Sequence, residues 1–245
     1  MSEKVVLKVL QAEEIDEGEG ARVRRLFPGP NMDHLDPFVL LDEFWISPPA
    51  GFPDHPHRGF DYITLVLDGA VLHRDSAGNE STISKGEVQR GTTGSGVVHS
   101  EMPGTPGMNH GIQLWTALPK RLKGLPPEYQ RVPRGSYPRK LIDNYTVSTI
   151  VGEGSPVGVH AEVQYLDVIT RGGSLPHAVP AGYNALIYVI KGHTDVSGTK
   201  LGQYEGAVLR PGATLTVKSA TESHYLFIAG RPLNEPIRLR GSFVD

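Results

Sequence analysis

Along the chain, Val, Ile, Leu, Thr and Tyr gather in short runs that end after about one strand length: VVLKVL, DPFVLLDEFWI, FDYITLVLDGAVLHRD, GVVHSEM, HGIQLWTAL, VQYLDVIT, NALIYVIKG, AVLRPGATLTV and HYLFIAG. None of them holds the 3.6-residue helical period through three turns, and their β-branched and aromatic content suits pleated strands. The breaks between them are rich in turn formers. The 245 residues include 29 glycines and 20 prolines, well above the usual ~12% combined, and they follow no fixed period. Many short strands separated by such turns predict an all-β chain, a sandwich or barrel.

Two segments share an outline. YITLVLDGAVLHRD followed by GEVQRGTTGSGVVH recurs loosely as ALIYVIKGHTDVSG followed by GAVLRPGATLTVKSATESH. Each reads as a hairpin, a glycine turn, a strand, and a further turn and strand ending in histidine. A duplicated β domain is the simplest source of such a pattern. The divide is expected in the Pro-rich stretch of residues 119–140, giving one domain over 1–130, a connector to about 140, and a second domain over 141–245. Seven Lys or Arg against one Glu between Lys120 and Lys140 read as a solvated connector, with a partner or polyanion surface as the alternative.

Charge adds little that is specific. The formal net charge of -3 gives no global field toward nucleic acid or an acidic membrane surface. Cysteine is absent, which removes disulfides, thiolate catalysis and every Cys-based metal site. The opening MSEKVVLKVLQAEE lacks the apolar core of a secretory signal, and AVPAGYNALIYVI falls short of the ~20 residues a spanning helix needs. Cytoplasmic residence without membrane contact is the expectation.

The informative chemistry lies in FPDHPHRGFD, residues 52–61, and in HSE, residues 99–101. Side chains two apart on a strand share a face, so His55 with His57, and His99 with Glu101, project as two pairs. Two facing strands would bring three imidazoles and a carboxylate to one point. Such donors suit Fe(II), Mn(II), Ni(II) or Zn(II), and four protein ligands on an octahedral ion leave two positions for water, dioxygen or substrate. A lone HxH is equally well explained as a surface pair; the second pair, beyond an intervening hairpin, makes the metal reading the stronger one. His177 and His224 sit where a duplicated site would want ligands, but no HxH or HxE accompanies them.

Taken together, GFPDHPHRGFDYITLVLDG, GTTGSGVVHSEMPG, HGIQLW, GARVRRLFPG and LDPFVLLDEF resemble the pirin family of bicupins, with weaker similarity continuing into GRPLNEPIRLRGSF. The resemblance implies two cupin-like double-stranded β-helix domains, an iron site in the first and a metal-free second. It also implies His55, His57, His99 and Glu101 as ligands, Fe(II) foremost among the ions. Some members of that family open the flavonol ring of quercetin with dioxygen, so a 2,3-dioxygenase taking a small aromatic or enolic substrate is expected. A eukaryotic member is an iron-dependent transcriptional coregulator, so a metal-dependent protein-binding module is the alternative.

Around these ligands, His110, Gln113 and Asp61 are expected just outside the metal, since a ligating histidine needs an acceptor for its other N–H and an amide can bond metal-bound water. Asp61 shares strand parity with both histidines, but the family pattern favours Glu101 as the carboxylate ligand, and Gly59 would interrupt the register. Glu101 is the expected catalytic residue, a base for a flavonol hydroxyl. Phe44, Trp45, Phe52 and Phe60 are each read as core before mouth-lining, and Arg58 either attracts an anion or pairs with an acid such as Asp54. HRD at 73–75 and the GTTGSG run have no kinase or phosphate-loop context.

Overall fold

The computed structural model describes residues 5–245; the opening MSEK lies outside them. Among the described residues the fold is all β, broken only by one 3-10 turn at Lys120–Leu122. No helix is long and apolar enough to cross a membrane.

Two compact units result, each a seven-stranded sheet with a four-stranded sheet. The site unit comprises Glu13–Ser136, Val157–Ala161 and Leu233–Asp245; the companion unit comprises the described residues up to Ala12, Tyr137–Pro156 and Glu162–Pro232. Neither is contiguous, unlike the division at 130 and 141 expected from composition. The reason is strand pairing. Val6–Gln11 adds to the edge of the companion sheet against Glu205–Leu209, and the last thirteen residues return to the site unit.

The Pro-rich stretch is also more ordered than a solvated connector. Between Pro127 and Pro133 the uninterrupted EYQRV forms a strand, Glu128–Val132, paired with Val88–Thr92. It lies at the sheet edge, where flanking prolines cost no ladder hydrogen bond. Arg131 and Arg90 pair there with Glu87 and Glu128, so part of its basic charge is neutralised locally.

Burial follows the sheets. Central strands of the site unit, Phe38–Ile46 and Phe60–Asp68, are buried along nearly their whole length, as strands covered on both faces must be. Thr214–Ser219, in the four-stranded companion sheet, buries every second residue, Leu215, Val217 and Ser219, and leaves the others exposed or partly so. The companion core gathers Val168, Leu175, Ile187, Val217, Tyr225 and Phe227 among others.

The duplication is visible strand for strand. In the site unit the order runs Val88–Thr92, Phe60–Asp68, Asn109–Ala117, Phe38–Ile46; in the companion it runs Glu205–Leu209, Asn184–Lys191, Ser223–Gly230, Val163–Thr170. The small sheets match too. Phe52–His57 pairs with Val97–Pro103 as Gly173–Ala178 pairs with Thr214–Ser219.

Candidate metal centre

Phe52–His57 and Val97–Pro103 are antiparallel neighbours, with His99 opposite His55 and Val97 opposite His57. The strand period of two therefore places all three imidazoles on one face. Their ligating nitrogens all lie within 4.8 Å of one another, with ring centroids 4.5–4.8 Å apart. His57 and His99 are buried and His55 partly so.

Backbone carbonyls fix two of the tautomers. His55 Nδ1–H donates to Pro53 O at 2.7 Å and His57 Nδ1–H to Ser242 O at 3.1 Å, which leaves each Nε2 with its lone pair available. The Nε2 atoms of His55 and His99 face each other at 3.1 Å, an arrangement that repels unless a proton or a cation lies between them. Burial, with His55 alongside, pushes His57 down to about 3. Burial and the neighbouring histidines push His99 well below the usual imidazole range. His57 and His99 are thus neutral at physiological pH and disposed to accept a divalent cation, and His99 Nδ1, buried without a protein partner, leaves that ring free to present Nε2. The donor set fits a transition ion.

Glu101 lies on the same strand and is buried, yet the close metal-capable group consists of the three histidines. Two residues after His99 on a strand that pairs regularly with Ala70–Asp75, Glu101 has its carboxylate held by side chains of the seven-stranded sheet. There Gln113 Nε2 donates to Oε2 at 2.6 Å, Gln89 Nε2 donates to Oε1, and Thr64 Oγ1 stands at 3.4 Å. Trp115 Nε1–H donates to Gln113 Oε1 at 2.9 Å, which orients the Gln113 amide with its NH2 toward Glu101. Gln113 therefore stands beside Glu101 at the cavity wall.

His110 and Asp61 do not. His110 is three residues from Gln113 and so on the opposite face of its strand; it stacks on Trp45 at 4.7 Å and pairs with Glu43 at 2.8 Å. Gly59, at φ +88°, lies in the break between the strands Phe52–His57 and Phe60–Asp68, and Asp61 is on the second of these, in the other sheet. Its carboxylate is taken by Thr92 Oγ1 and by the backbone N–H and ring of His160.

A cavity of about 540 Å³ opens onto the cluster, lined by His55, His57, Glu101, Gln113 and by the apolar side chains of Leu40, Phe44, Phe52 and Trp115. This volume is typical of a small-molecule site. Phe44 and Phe52 thus line the mouth, packed edge to face at 5.9 Å. Phe60 is core, stacked on Trp115, and Trp45 lies beneath Arg22 rather than in the cavity. Arg25, on the cavity wall, has its guanidinium engaged by Asp42 at 2.9 and 2.7 Å and by Glu17 at 3.0 Å. Burial, opposed by Arg25, lifts Asp42 to about 6. Arg58 pairs with Asp245, not with Asp54.

Sequence reasoning passed over Gln89, Thr64, Trp115, His73 and Ser242. Strand parity signals the first three, because Gln89, Thr64 and Gln113 lie in one cross-strand row and Trp115 follows Gln113 by two. His73 is fully buried, 5.4 Å from His99 and stacked on Tyr129. No local signal points to Ser242, which is 185 residues from His57.

A model of the family described as Pirin matches residues 20–116, and one described as Pirin C-terminal cupin domain matches residues 165–245. A Pirin-like protein of Solanum lycopersicum is 40% identical over 251 residues, spanning 98% of this chain and 86% of that protein. The chain belongs to the pirin family. Human Pirin is 38% identical across 99% of the chain and 88% of its own length. Among solved structures, one described as quercetin 2,3-dioxygenase from Acinetobacter baumannii superposes with a TM-score of 0.91 at 30% identity, covering 98% of this chain and 91% of that one. The chain is accordingly a bicupin, and its register shows how a pirin-type duplication is asymmetric. Where the site unit has His55, His57 and His99, the companion unit has Leu175, His177 and Val217. His177 bonds the Tyr225 hydroxyl at 2.9 Å and stacks on Phe227, while His224 pairs with Asp167.

Proposed function

We propose that this pirin is a metal-dependent dioxygenase of the quercetin 2,3-dioxygenase type, acting on a small aromatic or enolic substrate with dioxygen. The observation that supports it most is the placement of a three-histidine cluster at a cavity with an apolar wall, in a chain that superposes closely on a quercetin 2,3-dioxygenase. His55, His57 and His99 would hold the ion, with Glu101 as the fourth ligand once its side chain turns toward them. Fe(II) is the preferred ion; Mn(II), Ni(II) and Zn(II) suit the same donors. A redox-active ion held there supplies the one-electron chemistry that lets dioxygen react with an enolate.

The chain's own residues perform the rest. Leu40, Phe44, Phe52 and Trp115 exclude water and receive an aromatic ring. Glu101, at the cavity wall and within hydrogen-bond reach of the amides of Gln113 and Gln89, takes the proton from an enolic hydroxyl. A cavity, in place of a closed site beneath a flat charged surface, favours catalysis over a metal-dependent protein-binding module. Oxygen uptake with quercetin is the test, using protein reconstituted with Fe(II), Mn(II) or Ni(II). Turnover with at least one metal, abolished in His55→Ala and His99→Ala, is expected. Full metal occupancy without uptake for any of the three would refute this substrate.

A further inference from the structure

Residues 242–245 lie far along the chain from the histidine strands, yet they pack directly behind one of them. The Ser242 carbonyl is the acceptor for His57 Nδ1–H at 3.1 Å. The following residues are fastened on both sides of that contact. Val244 N–H donates to Arg58 O at 3.0 Å, and Lys123 Nζ donates to Val244 O at 2.6 Å. The Arg58 guanidinium lies 4.5 Å above the Phe243 ring and pairs with the Asp245 carboxylate at 3.0 Å. Val244 is wholly buried in a cluster with Phe60 and Trp115, the two rings that flank His57 at 5.1 and 4.8 Å. Gly59 makes room for the approach: a Cβ there would sit 1.9 Å from Val244 O.

We infer that the segment Ser242–Asp245 is a positioning element of the metal centre, a strap whose Ser242 carbonyl sets the His57 tautomer and whose anchors are Lys123, Arg58 and Phe243. The chemistry is specific. A metal-bound imidazole needs its distal N–H held by an oxygen, and loss of such a partner typically costs ~10–100-fold in metal affinity. His55 is served within its own strand by Pro53 O, so the two histidines differ in what supports them. Ser242 also lines the cavity, with Leu239 and Gly241 just before it, so the start of the strap borders the space beside the ion. The inference rests on the metal reading of the histidine cluster but not on any substrate.

Full-length protein carrying Lys123→Met, Phe243→Ala and Asp245→Asn together releases the anchors without touching a histidine. Two readouts follow: the nitrogen-15 shifts of the histidine side chains in metal-free protein, and the Co(II) dissociation constant from its visible absorption. The strap account expects His57 to lose its single Nδ1–H tautomer while His55 keeps its own, and Co(II) to bind ~10–100-fold more weakly. Phe243→Tyr, which keeps the ring under Arg58, should leave both readouts as in the parent. An unchanged His57 tautomer in the triple variant overturns the inference whatever the affinity does, and so does an unchanged Co(II) constant. Failure of the metal reading itself looks different: no Co(II) spectrum in the parent protein, with the tautomer result still readable.

Discussion

At the scale of residues, Gln113 is the most exposed to test, because two groups depend on its orientation. Its amide donates 2.6 Å to the buried Glu101 carboxylate while its oxygen accepts from Trp115. Replacing it with leucine keeps the volume roughly but strips a charge-assisted hydrogen bond, a loss of about 1.5–3 kcal/mol. Urea denaturation should show that drop in Gln113→Leu, and kcat should fall more than KM rises if Glu101 is the base. A stability and kcat equal to the parent would remove Gln113 from the site. That His55, His57 and His99 share a face was legible beforehand because a period of two fixes which side chains project together. The same parity argues against His110, three residues from Gln113, and its reading as a neighbour of the metal came from proximity in sequence instead. The orientation of Glu101 was not legible, since it depends on two glutamines from other strands.

Elements show how the two halves diverged on a shared plan. HPH at 55–57 and LPH at 175–177 occupy equivalent strands, and replacing histidine by Leu175 and Val217 converts metal-site positions into core. His177 remains, buried against Tyr225 and Phe227. Burial pushes it down to about 4. The unfolded chain therefore takes up a proton that the folded one refuses. Stability from this residue is fully present above about pH 6.5 and is lost as pH falls toward 4, by about 3 kcal/mol in all. Comparing His177→Gln with the parent by denaturation between pH 7 and 4 should show a shallower loss in the variant. Identical slopes would mean His177 is protonated in the fold. The hairpins and turns of this plan were readable from glycine placement. The strand inside the Pro-rich stretch was not, because its prolines fall just outside a five-residue segment whose pairing with Val88–Thr92 is long-range.

For the molecule as a whole, the two units exchange chain termini: the first strand completes the companion sheet, and the final segment completes the site. Composition marks turns and linkers but carries no record of which edge a distant strand joins, so a contiguous division was the natural expectation. Leu10, 2% exposed on the strand Val6–Gln11, separates the alternatives. Leu10→Ala should cost ~2–5 kcal/mol, and hydrogen exchange should report the loss in Glu205–Leu209 and its neighbours. Lost protection in Val97–Pro103 alone would instead support a contiguous first domain. The central claim is that one ion sits between His55, His57 and His99 and faces the cavity. Anomalous scattering from Fe(II)-loaded crystals at the iron edge tests it most directly: the account predicts one strong peak within about 2.0–2.3 Å of the three Nε2 atoms, and a map with no peak there, or with its main peak beside His177 and His224, would contradict it.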